Sequence, residues 1–568
     1  MNLTDEQRLI IEETISNEDG QYACCAVAGS GKSFTIFQAI DYIKQHQPNA
    51  KILYVVFNKA NQESANRKLH KYYDLPGRTE ARTAHSYALG KWTCCIGSFT
   101  PITKLEKDII YNIVNEKPYK YKNDVKFAKH AVFHFLHDKF ISSKLILDTF
   151  CEDMELKFDD DYEKDDRAKD CTIIGKGGMQ KHVFGLQVSP YAVCTKDCIA
   201  AFKDIIKEHE RQKKYTHGMY LKYAAYAKTK AKDEWDYVFF DEAQDSNYFM
   251  LKLLDKQNIH KLYFIGDERQ SIYNFGGANE NVFKTRQFNK VYKLSKSFRF
   301  GDRVANLANK IIHMHSEQTC YGTPQTHSTD LNSYARLYRT NAGLFKDALK
   351  LAYVAKQQNV KLNIDFMKNQ EGDDSYKYTE LLSFLGLYYK YTNSSYWRLN
   401  IEVWPKYLPD SLKAFGEALQ QNPNFLDVYN DFYDALSDDI HMIFGYAKEE
   451  TNFVEKYKAL QECLDRPNYE RKVTMLTMHR SKGLEWDIVD IAEPTRLYYT
   501  DKEGIHRRNS DYMSELNLAY VAVTRARKRL HANALQPELT NESQIFENTE
   551  FDIDLDKKFE EDKVLQEA

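Results

Sequence analysis

The stretch AVAGSGKSF, Ala26 to Phe34, decides how the rest of the chain is read. It follows a short apolar run, YACCAV at 22–27, and leads into FTIFQAIDYIKQ, which has the apolar spacing of a helix. Strand, glycine loop, Gly-Lys-Ser and helix in that order form a phosphate-binding loop, with Ala26 where the motif's first Gly usually stands. Gly29 and Gly31 let backbone N–H groups turn toward phosphate oxygens, and the helix N-terminus adds positive potential. Lys32 supplies a point charge to the β- and γ-phosphates, and the Ser33 hydroxyl is a Mg²⁺ ligand. The expected nucleotide cradle is therefore Ala28, Gly29, Ser30, Gly31, Lys32, Ser33 and Phe34, with ATP and Mg²⁺ as cofactors. A glycine-rich turn carrying an exposed lysine is the plain alternative; the flanking strand and helix weigh against it.

Downstream, DYVFFDEAQD at 236–245 is an apolar strand ending in two acids. On their own, two acids after a strand more often make a solvated turn. Beside a phosphate loop they sit where open α/β sheets bind ligands, at the C-terminal edge of the strands. Asp241 is then the second Mg²⁺ residue, and Glu242 the group that orients and deprotonates an attacking water.

Further strands are expected at 51–57 (KILYVVF) and 261–265 (KLYFI), and in a second set at 334–338 (YARLY), 473–478 (VTMLTM), 486–491 (WDIVDI) and 529–535 (RLHANAL). Short β-branched and aromatic runs bounded by Gly, Asp or Asn read as buried strands of parallel sheets. Two α/β units follow, each interrupted by a long helix-like stretch too extended for a loop. The expected division is 1–89 with 226–290 for the first unit and 90–225 for its insertion. The second unit takes 291–369 with 466–540, its insertion 370–465, and an acidic tail runs from 541 to 568.

Composition sets bounds on these units. At 568 residues the chain exceeds what one core supports, and 43% hydrophobic with 28% charged residues excludes wholesale disorder. No run of ~18 apolar residues exists to span a membrane, and the acidic start MNLTDEQRLIIEE is unlike a signal peptide. Ten cysteines, four of them in adjacent pairs, make no disulfide framework, so a reducing, intracellular setting is expected, with a phage or bacterial host cytosol favoured. Cys194 and Cys198 at helical spacing lack the companion pair of a zinc site. Net charge is −3, but the tail alone carries −7, leaving +4 on residues 1–540; such a balance neither supports nor excludes a nucleic-acid partner.

The order of motifs resembles superfamily 1 DNA helicases of the UvrD/Rep type. LTDEQ (3–7) looks like the adenine-reading Gln motif. FNKANQESANRKL (57–69) and TAHSYA (83–88) look like two DNA-contacting segments, and GDERQSIYNFGGA (266–278), LSKSFRFG (294–301), YRTN (338–341), TMHRSKGLEWD (477–487) and LNLAYVAVTRARKRL (516–530) complete the set. VVFNKA, KSFRFGDRVANLA and NLAYVAVTRARKRL are spelled closer to the F-box DNA helicase branch, although no F-box is expected ahead of a Gln motif that starts at residue 3. The resemblance implies two RecA-like domains with parallel sheets and roles for further residues. Gln7 would read the adenine, Phe298 stack on it where many relatives have Tyr, and Glu485 hold the ribose. Gln270 would contact the γ-phosphate and the attacking water, while Arg299 and Arg525 would neutralise the transferring phosphoryl as the two units close on ATP. Arginines in such positions are worth ~10³–10⁵ in rate elsewhere.

Single-stranded DNA and single-strand/duplex junctions are the expected partners, with replication or recombination proteins behind them. A strand offers π-faces and phosphates, so aromatics with hydroxyls and bases make a sequence-tolerant track at ~1–3 kcal/mol per stacked base. Phe57, His85, Tyr273 and Phe275 are the stacking candidates, with Asn58, Thr83, Arg339 and His479 near the backbone; any one of these aromatics read singly is more often core than platform. Phe275 takes the place of a stacking Trp in relatives, and Gly276 stands where UvrD-type proteins have Arg. The expected activity is ATP-dependent unwinding in replication, recombination or repair, 3′→5′ by resemblance, the alternative being a translocase that strips proteins from DNA. A nuclease fusion is not expected, because about 38 residues follow VTRARKRL, fewer than the ~100 of an added fold. A relic binding protein would not have kept the whole set from Lys32 to Arg525.

Overall fold

In the computed structural model the described residues are 3–116, 130–153, 171–174, 180–183, 195–227, 233–272, 281–323, 333–366, 410–422, 424, 428, 452–464, 472–500, 506–509, 511–532 and 534–535, except 73, 76 and 315. The chain divides into two compact units, Met1–Ser295 and Lys296–Ala568. The loop segment with Tyr273, Phe275 and Gly276, the GKGG patch at 175–178, Cys194, most of 370–465 and the acidic tail lie outside the described residues.

The first unit is built on a six-stranded, all-parallel sheet. Its spatial order is Lys290–Leu294, Gly20–Ala26, Asn258–Gly266, Glu234–Phe240, Ile52–Val56 and Thr79–Thr83. Helices cover both faces, so the inner strands are apolar on both sides and read as continuous runs. Along Ile52–Val56, Leu53 and Val55 enter one hydrophobic cluster, while Ile52, Tyr54 and Val56 enter the other. Val238 and Phe240 against Tyr237 and Phe239 repeat the division.

The helical insertion belongs to the first of these clusters. Phe133, Phe140, Phe150 and Phe202 are buried in it with Val238 and Phe264 of the sheet. Its entry and exit are tied by a pair that sequence patterning did not show, Thr100–Ile102 beside Lys214–Thr216. The division between units falls after Ser295, beyond the boundary expected at 290, because Lys290–Leu294 pairs in register with Tyr22–Ala26.

The second unit carries a five-stranded parallel sheet in the order Asn363–Phe366, Lys472–Thr477, Tyr334–Tyr338, Trp486–Ile491 and Ala526–His531. The last strand lies three residues earlier than the 529–535 expectation. The helix Tyr512–Val523 is buried from Glu515 to Val523, as its nearly all-round apolar sequence requires.

Candidate nucleotide site and strand-facing residues

Because every strand of the first sheet runs the same way, Ala26, Val56, Thr83, Phe240 and Gly266 end on one edge. Each is followed by a segment expected to carry chemistry. After Ala26 the backbone turns through Gly29 at φ 73° and Gly31 at φ 79°, left-handed values that disfavour a side chain. Gly31 caps the helix Lys32–His46, whose first turn holds no acid.

Lys32 Nζ lies 3.6 Å from Glu242 Oε1, and both side chains are mostly withdrawn from water. Ser33 Oγ is 3.4 Å from Asp241 Oδ2. Tyr54, which no sequence motif singled out, donates its hydroxyl to the same Asp241 oxygen at 2.6 Å. Burial, with the charge of Glu242 beside it, pushes the Asp241 carboxyl up to about 6. Glu242 sits at φ 51°, ψ 41°, a left-handed conformation that costs a non-glycine residue about 1–2 kcal/mol and that recurs where function fixes the backbone.

Ser33 and Asp241 offer hard oxygen donors, one hydroxyl and one carboxylate, which fits Mg²⁺ held with substrate phosphates. Among the described residues no group of three or more His, Cys, Asp and Glu could hold a metal ion by itself.

Gln270 is buried and donates to Asp267 Oδ2 at 2.9 Å. Burial would raise the Asp267 carboxyl, but Arg269 and then Lys32 hold it below the usual carboxylate range. Arg269 donates to Asp267 Oδ1 at 2.7 Å and to the Ala26 carbonyl at 2.8 Å, tying this segment to the root of the phosphate loop. Gln7 is buried as well. It forms a capping box with Thr4 at the start of the helix Asp5–Ser16, and its Nε2 donates to the Ser30 carbonyl at 3.3 Å. Ala28 and Ser30 are buried in the loop, whereas Phe34 is exposed.

The expected DNA-contacting residues of this unit differ in exposure and in partners. Phe57 is 48% exposed at its strand end. Asn58 and Thr83 spend their side-chain oxygens capping helices, accepting from Asn61 N at 2.8 Å and from Ser86 N at 3.0 Å. His85 packs against His217 with ring centroids 5.8 Å apart; burial, then His217, pulls its pKa down to about 4, so it is neutral at physiological pH.

In the second unit three expected residues converge. Arg299 donates from Nε to Glu485 Oε2 at 2.7 Å and from Nη1 to the Thr524 carbonyl at 3.0 Å. Arg525 is buried, donating to the Val521 carbonyl at 2.9 Å, the Leu484 carbonyl at 3.1 Å and Thr524 Oγ1 at 3.1 Å. The guanidinium thus closes the C-terminal end of a helix, where the backbone dipole favours a cation. Phe298 stands exposed beside Arg299 in sequence.

Arg339 forms a fork on the Glu515 carboxylate through Nε and Nη2. Glu515, which sequence reasoning passed over, also accepts from Arg496 N at 2.9 Å. Burial raises its carboxyl, yet those two partners hold it below its usual range. His479 is pulled down to about 4 by burial and by Arg339.

Comparison with known families agrees with this arrangement. Residues 3–292 match the UvrD/REP helicase N-terminal domain, and residues 472–532 match the UvrD-like helicase C-terminal domain. The chain is 25% identical to F-box DNA helicase protein 1 of Schizosaccharomyces pombe, over 94% of this chain and 57% of that protein. It is 25% identical to F-box DNA helicase 1 of Gallus gallus, over 93% of this chain and 49% of that protein. ATP-dependent DNA helicase PcrA of Staphylococcus aureus is 23% identical over 53% of this chain and 55% of its own. The chain spans about half the length of the curated relatives it matches.

Proposed function

The chain belongs to the UvrD/REP helicase family, and from that premise we propose that it is an ATP-driven motor that translocates on single-stranded DNA and unwinds duplex in the 3′→5′ direction. The observation that carries the proposal is the convergence of Lys32, Ser33, Asp241 and Glu242 at the C-terminal edge of the first sheet. A triphosphate would take the backbone N–H groups of the glycine loop and the Lys32 ammonium. Ser33 and Asp241 would hold Mg²⁺, whose chemistry when bound is charge neutralisation on the phosphate oxygens. Glu242 would orient the attacking water and accept its proton, the task for which a carboxylate next to the phosphate loop is suited. Gln270 would contact the γ-phosphate and the attacking water, and so report nucleotide state to the neighbouring DNA site. Arg299 and Arg525 are proposed catalytic cations of the second unit, and Glu485 and Phe298 its contributions to nucleotide binding.

Strand displacement on 3′-tailed and 5′-tailed duplexes tests the proposal, with Lys32→Ala and Glu242→Gln as controls. Unwinding only of the 3′-tailed substrate, abolished by both substitutions, is expected. Unwinding that survives both would defeat the mechanism, and ATP-driven removal of a DNA-bound protein without unwinding would favour the translocase alternative. Among the described residues no helix is long and apolar enough to cross a membrane.

A further inference from the structure

Glu242 occupies a strained backbone position, and a carboxylate that must aim at one water needs more than its own rotamer to hold it. One of its oxygens faces Lys32. The other, Oε2, accepts from Gln244 Nε2. Gln244 is 2% exposed, so its carboxamide works in a dry environment where each hydrogen bond is strengthened. Its other end is also engaged: Oε1 accepts from the backbone N–H of Asp267 at 3.0 Å. Ser271 Oγ, four residues on, donates to the Gln244 carbonyl at 3.3 Å.

The neighbouring glycine keys this contact. A Cβ on Gly266 would lie 2.2 Å from Gln244 Oε1 and 3.1 Å from Ala243 N. That glycine is therefore needed for close approach, not for an unusual φ. Segment 266–271 meets Gln244 on one side, and on the other it reaches the phosphate loop through Arg269 and the Ala26 carbonyl.

We propose that Gln244 is a positioning residue for Glu242: its carboxamide bridges the Glu242 carboxylate and the Gly266–Ser271 segment, so that this segment sets the aim of the water-orienting group. The inference rests on the role of Glu242 given above. Only a carboxamide serves, since the site requires a donor toward Glu242 and an acceptor toward Asp267 N–H within one planar group. When Lys32 turns to the phosphates, Gln244 keeps Glu242 Oε2 in place.

The test uses the full chain with saturating single-stranded DNA. Steady-state kcat and KM for ATP are measured for Gln244→Glu, Gln244→Met, Gly266→Ala and the Gly266→Ala/Gln244→Met pair, with binding of a fluorescent ATP analogue and thermal unfolding alongside. Both Gln244 variants are expected to lower kcat at least tenfold while KM and analogue affinity stay within twofold. Gly266→Ala is expected to lower kcat in the parent but to add less than twofold in the Gln244→Met background, because it acts through Gln244. Retention of kcat within twofold by both Gln244 variants overturns the proposal. So does loss of kcat together with analogue binding or cooperative unfolding in both, which marks a purely structural residue. Glu242→Gln run in parallel separates the layers: if that variant hydrolyses ATP at the parent rate, the role given to Glu242 fails first.

Discussion

Replacing Glu242 by Gln should do two opposite things, and the Lys32–Glu242 geometry sets the size of the less obvious one. Hydrolysis should fall steeply, because the carboxylate that accepts the water's proton is gone. ATP binding should tighten. Lys32 Nζ stands 3.6 Å from Glu242 Oε1, with side-chain exposures of 11% and 27%. An incoming triphosphate must draw the ammonium away from that partner and approach a second negative charge. At 3.6 Å an effective dielectric of ~20 gives a gross attraction of about 4–5 kcal/mol. Desolvation and residual water offset most of it, and partly exposed pairs retain on the order of 1 kcal/mol. Relief of the pair, with the lost repulsion toward phosphate, is therefore expected to tighten Kd for ATP about 5- to 20-fold, since 1.4 kcal/mol is a factor of ten. Equilibrium titration with a fluorescent ATP analogue and Mg²⁺, read beside single-turnover hydrolysis, measures both effects. In a Lys32→Ala background the same substitution should tighten binding by less than half as much in free energy. Unchanged or weaker affinity in the single variant, or an equal gain in both backgrounds, would refute the idea that Glu242 restrains Lys32.

Other outcomes follow from named contacts. Lys222 is buried, donates to the Phe140 carbonyl at 2.6 Å, and is drawn down to about 7 by burial. Its folded pKa lies below the ordinary lysine value, so the unfolded chain binds more protons between about pH 7 and 10.5 and stability rises with pH across that window, by about 4–5 kcal/mol in all. Urea unfolding of Lys222→Met should lack this rise, and parallel pH curves for the two proteins would exclude the assignment. Phe57→Ala should weaken binding of an oligo-dT strand 5- to 150-fold, the equivalent of ~1–3 kcal/mol for one stacked base, by fluorescence anisotropy; an unchanged Kd removes Phe57 from the strand track. Glu515→Gln strips a partly buried Arg339 of its charged partner and should destabilise the second unit by about 3–5 kcal/mol. A thermal midpoint unmoved by that substitution would show Arg339 to be solvated instead.

The strands missed in the two large sheets share one physical cause. Thr79–Thr83, Lys290–Leu294 and Asn363–Phe366 are each the outermost strand of a sheet. An edge strand is covered less completely, so TEART and KVYKL carry charges where inner strands are apolar. A search for apolar runs finds the centre of a sheet and passes over its rim. The residues it passed over around these candidates, Tyr54, Gln244, Asp267 and Glu515, have no spacing signature; each is defined by hydrogen-bond partners distant in the chain or folded back on it.

Residue types in order along the chain were enough to establish a phosphate loop, an acidic strand end, two parallel α/β units and the family, because these depend on local backbone demands and on periodic burial, which are written locally. Which side chains partner the candidate site residues was decided only by the fold. Asp241 meets Tyr54 across 187 positions, Arg299 meets Glu485 across 186, and Arg339 meets Glu515 across 176. Such pairs arise because the fold brings strand, loop and helix segments far apart in sequence together, and no local pattern encodes a hydrogen bond whose second partner lies so far along the chain.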